Sequence, residues 1–236
     1  RAGAIALDVD RVALERMRGA QAARIAIPVA GRTPLVIAVT RFDPFAGGAT
    51  MTETGAEGTR PIAVDVALFR GTVEGEPESW AFLAASPRGV FAIVDRAQGR
   101  IEIAPLDEHP AAGVVPLHVA SAATDLVSPG NAFACGADSL AERRGRVPPA
   151  AHAGATADSR AARPGAAAAN ARLECDVAVD CDYEYFAVKK GGDLAVASAY
   201  ITTVIGVVSA VYERDLGVAL RIAYLNLWTT PADPYT

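Results

Sequence analysis

Cysteine, histidine and aromatic side chains are all scarce in this chain, and each scarcity removes a class of function. Three cysteines in 236 residues, Cys135, Cys175 and Cys181, are too few for a disulfide scaffold. If Cys175 and Cys181 share one extended strand, their Cα atoms lie roughly 20 Å apart, whereas a bridge needs less than about 7 Å. The three histidines, His109, His118 and His152, are scattered, and none stands in an HExxH or HxxxH spacing. Aromatics make up 6% of the chain, and no segment gathers Lys and Arg with aromatics between them. With a net charge of −5 and an isoelectric point near 5.3, nucleic acid is not an expected partner. Phosphate-binding glycine loops are missing too. Between the elements expected to flank a helix there is only Gly191-Gly192, followed by Asp193, whose charge would repel a phosphate. The chain opens at Arg1 without a charged stretch leading into an apolar run, so any signal peptide is expected to have been removed or left out.

What is present is apolar: 51% of residues are hydrophobic and the mean hydropathy is +0.22, enough for one large core or two modest ones. Three regions separate by composition. Residues 1–118 read as strand-rich. "DVDRVALERMRGA" is a short amphipathic helix with Asp8 or Asp10 at its N-cap. The runs "RIAIPVAG", "PLVIAVTRF", "PIAVDVALFRG", "SWAFLAAS", "GVFAIVD" and "RIEIAPL" follow as strands, with turns at Gly47-Gly48, Pro87-Arg88-Gly89 and Gln98-Gly99. Short, closely spaced strands predict an antiparallel sandwich or open barrel.

Residues 119–171 read as a linker. Between Ala141 and Asn170, eighteen of thirty residues are Ala, Gly or Pro and five are Arg, too little apolar bulk for a core. The cluster Arg143, Arg144 and Arg146 is either a solvated charge run or a processing site, since exposed linkers are where proteases cut.

From residue 172 the pattern changes again. Leu173, Cys175, Val177 and Val179 alternate with Glu174, Asp176, Ala178 and Asp180, a period-two strand. A long helix follows, with Asp193 as N-cap and Gly217 as C-terminal stop. Nineteen of its residues, Leu194 to Tyr212, carry no charge, a length that could span a bilayer. Its Ser, Thr and Tyr content and a helical stripe of Leu194, Ala197, Ile201, Val204, Val208 and Val211 favour a helix packed on a core, so no membrane span is expected. "VALRIAYLNLW" is the next strand. Strand, helix and strand predict a βαβ crossover onto a parallel pair, with Ala197, Ile201, Val204 and Val208 facing the sheet. The fold class expected is α+β overall, a β-rich region, a linker and an α/β unit.

The segments "CDVAVDCDYEYFAVKKGGD" and "ASAYITTVIGVVSAVYERDLGVALRIAYLNLWTTPADPY" resemble the first half of a reprolysin-type (adamalysin, ADAM-like) metzincin protease domain. In that family an opening strand ends in Asp before an aromatic stretch, a long helix ends in Tyr and a charged pair, and a strand runs into Leu-x-x-Trp and an Asp-bearing loop. Those slots hold Asp182, Tyr183 and Phe186, then Tyr212, Glu213 and Arg214, then Leu225, Trp228 and Asp233, over about 65 residues. "FRGTVEGEPESWAFLAASPRGVFAIVDRAQGRIEIAP" resembles the prodomain of such proteases, and the order of prodomain, linker and protease domain is the family's own.

The resemblance implies a secreted or extracellular zymogen of a zinc endopeptidase acting on protein or peptide substrates. Three histidines of H-E-x-x-H-x-x-G-x-x-H hold the metal in that family, and the Glu is the general base. This chain lacks the motif, so zinc is expected in the full-length parent, and the chain alone is expected to hold no catalytic zinc and to be inactive. The resemblance also implies that Cys135, followed by Gly136, is a candidate for the prodomain thiolate that blocks the metal. Calcium is possible through Glu174 or Asp176, depending on which Asp sets the alignment. The competing class is a non-catalytic secreted module, a β-rich domain tethered to a small α/β domain that binds or supports without chemistry.

Overall fold

Two of the apolar runs, around Phe69 and around Phe82, become strands covered on both faces, which is why they read as continuous rather than alternating. A computed structural model describes residues 4–29, 31–107, 114–122 and 173–235. In chain order these form β1 (Ile5–Leu7), α1 (Arg11–Gly19), β2 (Ala22–Val29), β3 (Arg32–Phe42), β4 (Phe45–Gly55), β5 (Gly58–Pro61), β6 (Ala67–Val73), β7 (Glu76–Ser86), β8 (Gly89–Asp95), β9 (Ile101–Pro105), β10 (His118–Ala122), β11 (Leu173–Cys181), α2 (Leu194–Leu216) and β12 (Val218–Trp228). Asp10 caps α1 by accepting from the Val12 and Ala13 amides.

The larger sheet has eight strands in the order β1-β10-β9-β8-β7-β6-β3-β2. All its pairings are antiparallel, and it curls into a half-barrel. The β-rich expectation therefore stands. In β6 and β7, neighbouring residues point to opposite faces. Phe69 and Leu83 enter a core with Ile37, Val39, Val94 and Leu14 of α1. Leu68 and Phe82 form a second core on the outer face, with Ala210 of α2.

The smaller sheet has the order β11-β12-β4-β5. β11 and β12 pair in parallel, as the crossover predicts, and α2 connects them. Asp193 caps α2 through the Val196 amide at 3.0 Å, and Gly217 ends it at φ 70°, a left-handed position that glycine fills without a Cβ penalty.

Sequence expectations are corrected on two points, first on how the strands are shared between the sheets and regions. Gly47-Gly48 is not a turn between strands: it lies inside β4, where pairing to β12 shifts from Phe45 opposite Ile222 to Thr50 opposite Tyr224. With β4 in place, the segment from 173 does not form a sheet by itself, because its second neighbour comes from the N-terminal region, and the two stretches form one compact unit. The β-rich region also runs past residue 118, since β10 continues to Ala122.

The second correction concerns α2. Ala197 and Ile201 do pack on the small sheet, joined by Leu194 and Ile205 against Ile222, Leu225 and Leu227. Val204 and Val208 instead line a cavity beside it. Of the expected stripe only Ala197 is fully buried; the other buried positions are the small or polar Ser198, Thr202, Gly206, Ser209 and Ala210. Small side chains are needed there because α2 is held between two sheets. Gly206 meets the outer face of the large sheet so closely that a Cβ would lie 2.4 Å from Leu68 Cδ1 and 3.5 Å from the Phe82 ring. Ser209 exchanges two hydrogen bonds of 2.9 Å with the Leu220 backbone of β12.

Gly206→Val should therefore lose about 1–3 kcal/mol of stability through overpacking. The check is the urea midpoint of the variant beside wild type. An unchanged midpoint would mean that α2 does not touch the large sheet at this turn.

Candidate functional site

In parallel sheets, ligands gather beyond the carboxyl ends of the strands. At that end of the small sheet the sequence places polar residues among leucines. Asn226 sits between Leu225 and Leu227 on β12 and is only 2% exposed. Its amide nitrogen donates to Asp180 Oδ1 at 3.0 Å, and its oxygen accepts from the hydroxyls of Thr52 at 3.0 Å and Thr54 at 2.9 Å. One polar rung thus crosses β11, β12 and β4. The loop after β12 closes over it. Asp233 Oδ2 accepts from the Tyr183 amide at 2.9 Å and Oδ1 from the Tyr235 amide at 2.8 Å, while the Tyr235 hydroxyl donates to Asp180 Oδ2 at 2.7 Å. Asp182 accepts from the Tyr185 amide at 2.7 Å, starting a π-helical turn over Tyr185–Lys189.

This arrangement positions the chain; it offers no poised nucleophile. Asp180, Asp182 and Asp233 each accept hydrogen bonds from neutral donors, which fixes the strand end and the loop. The Cys181 thiol is pushed up to about 12, chiefly by burial and then by Asp180 and Asp182, so it stays protonated at neutral pH. Burial likewise raises Tyr185, whose hydroxyl donates to the Ala197 carbonyl at 2.8 Å and ties the turn to α2. Among the described residues, no group of three or more His, Cys, Asp or Glu is placed to hold a metal ion.

The second concavity is a cavity of about 460 Å³ between α2 and the outer face of the large sheet, lined by Val66, Val90, Phe91, Val204, Val207 and Val208 among others. Volume and apolar lining lie in the range of small-ligand pockets. Lys190 borders it, 5% exposed, with its ammonium 3.3 Å from the Tyr200 ring centroid. Arg88 borders it too and pairs with the helix cap Asp193 at 2.5 Å.

The residues singled out in the sequence do not converge on either place. Cys135, Arg143, Arg144, Arg146, His109 and His152 lie outside the described residues. Glu174 pairs with Arg221 at 2.9 Å, and Asp176 is exposed on β11. Cys175 and Cys181 are both free thiols on β11. His118 has a structural task. It is fully buried, Nε2 accepts from the Val90 amide at 3.0 Å, and Nδ1 donates to the Pro116 carbonyl at 2.8 Å. That pattern selects the neutral ring. Gly89 gives it room: its φ is 127°, and a Cβ there would come within 2.4 Å of the imidazole. Sequence reading missed the rung of Asn226, Thr52 and Thr54. A lone Asn inside "LNLW" was its one local signal, and its partners lie more than 170 positions away. No family model and no curated protein matches this chain.

Two outcomes follow. Burial lowers the pKa of His118 from its usual 6.5, so below about pH 6.5 the unfolded chain binds the proton more readily than the folded one. The stability supplied by the neutral ring is complete above that pH and is lost as pH falls toward the folded value. The stability gap between wild type and His118→Gln, measured by urea titration, should therefore narrow from pH 7.5 to pH 5; a constant gap would show that this ring does not titrate differently in the two states. Asn226→Asp sets a buried carboxylate against Asp180 and should cost on the order of 3 kcal/mol at neutral pH. Asn226→Asp melting at the wild-type temperature would contradict the rung.

Proposed function

We propose that this chain is the pro-region, linker and first half of the catalytic domain of a secreted zinc endopeptidase zymogen of the reprolysin type. The observation that carries the reading is the parallel β11–α2–β12 crossover closed at its far end by Asp182 and Asp233. The residues of the resemblance have jobs at its joints: Asp182 starts the turn, Asp233 fastens the loop to Tyr183, Leu225 is buried in the sheet core, and Glu213 pairs with Arg70. A protease half-domain needs such a rigid scaffold before it can present a peptide-binding edge and a metal site.

The described residues do not fit zinc: they offer no three-ligand set, and both ring nitrogens of His118 are committed to backbone groups. In this reading the zinc ligands and the general base belong to the full-length protein outside these residues, and no chemical step is assigned to the residues described. The apolar cavity beside α2 favours the second reading, a secreted module that binds without catalysis.

The full-length protein separates the two. A protease zymogen should, after processing near Arg143, Arg144 or Arg146, hydrolyse a protein substrate, lose that activity to a chelator and regain it with added zinc. Cys135→Ala should raise activity before processing if that thiolate blocks the metal. Full-length protein without H-E-x-x-H-x-x-G-x-x-H and without chelator-sensitive hydrolysis leaves the binding module as the function.

A further inference from the structure

We infer that the non-covalent contacts between residues 4–122 and 173–235, with the β4–β5 hairpin as the strand donor, suffice to hold them together, so that a break in the chain between them leaves the two parts bound. The binding surface is the edge of β12 together with α2, and its partner is the N-terminal part of the same chain.

Neither part covers its own apolar surface. Residues Phe45, Met51, Ile62 and Val64 from the first part enter the core built by Ile222, Leu225 and Leu227 from the second. Leu68 and Phe82 from the first part lie under Gly206 and Ala210 of α2. Separation would expose both sets to water, the dominant cost in interfaces of this kind. The parallel ladder of β4 and β12 runs from Thr50 opposite Tyr224 to Thr54 opposite Trp228. Backbone bonds extend it at both ends, from the Ile222 amide to the Pro44 carbonyl at 2.8 Å and from the Thr229 amide to the Thr54 carbonyl at 2.9 Å. The Thr52 and Thr54 hydroxyls on Asn226 fix the register from inside. At the rim, Arg70 meets Glu213, Arg88 meets Asp193, and the Arg214 guanidinium lies 5.5 Å from the Trp80 ring centroid.

The covalent connection through residues 123–172 adds effective concentration but no contact of its own to this argument. A shared core of this composition should hold at micromolar concentration without it. The inference rests on these contacts and not on the protease reading, to which it adds one consequence: cutting the linker does not release the pro-region, and a second event must pull β4 from β12.

The test is to co-express residues 1–146 and 147–236 as two polypeptides with an affinity tag on the second only. Both should be recovered in equal amounts, elute from a sizing column at the position of the intact chain, and part in denaturing urea. Recovery of the tagged part alone, or of insoluble parts only, overturns the inference. Thr54→Val, which removes one hydroxyl at the seam, should weaken the pair about five- to tenfold. Met51→Asp should prevent assembly, while Glu57→Gln in the hairpin turn should not change it. Undiminished pairing of both Thr54→Val and Met51→Asp would show that the hairpin is not what holds the parts together. No proteolysis is measured, so the outcome is independent of whether the full-length protein is a protease.

Discussion

The close approach of α2 to two sheets at once is the constraint on which the rest of this structure depends. One side of the helix lies on Ile222, Leu225 and Leu227; another meets Leu68 and Phe82 through Gly206. A helix in that place cannot carry large residues all round. It spends its small ones, Ala197, Ser198, Gly206, Ser209 and Ala210, where the sheets press closest. Three valines, Val204, Val207 and Val208, lie on a third side, where they border the cavity. The position of α2 also fixes which strand can pair beyond β12. That strand is β4, and its polar contacts to Asn226 set the register that keeps Met51 turned toward the core.

Signals that depend on neighbours a few residues apart were legible in the sequence. The caps at Asp10, Asp193 and Gly217 are of this kind, and so are the period-two strand ending at Cys181 and the parallel crossover. What was not legible depended on distant partners. β4 reads "FAGGATMTETG", with two adjacent glycines and few large apolar residues, and locally it looks like a turn. It is a strand because β12, more than 160 residues later, supplies its hydrogen bonds. Tertiary pairing overrides local preference most easily in such weakly patterned segments. The stripe on α2 failed for a related reason: size and polarity suggest one buried side, whereas a helix with two covering sheets buries its smallest residues.

The polar rung shows the same division. Asn226 was visible as an odd residue in an apolar strand, yet nothing local said that Thr52, Thr54 and Asp180 would satisfy it. An amide suits the place because it donates to one neighbour and accepts from two others, which neither a carboxylate nor an aliphatic residue can do. The rung costs little in stability because every buried polar atom on it has a partner. It also rejects a β4 shifted by one residue, since that shift would turn the threonines to the opposite face.

The hydrophobicity of α2 follows from the same geometry. Over its 23 residues it is long and apolar enough to cross a membrane by length and composition. A helix that is apolar on every side is also what a core between two sheets requires. Here two sides meet the sheets and the valines border the cavity, while Tyr200 and Tyr212 are exposed; the charged residues Glu213, Arg214 and Asp215 come only in the last turn. There Glu213 reaches Arg70 and Arg214 lies over Trp80. If the helix were drawn from this setting, by removal of β4 or of the outer face of the large sheet, its apolar sides would face water. That gives the N-terminal region a physical role whatever the protein does: it covers a helix that the segment from residue 173 cannot cover by itself.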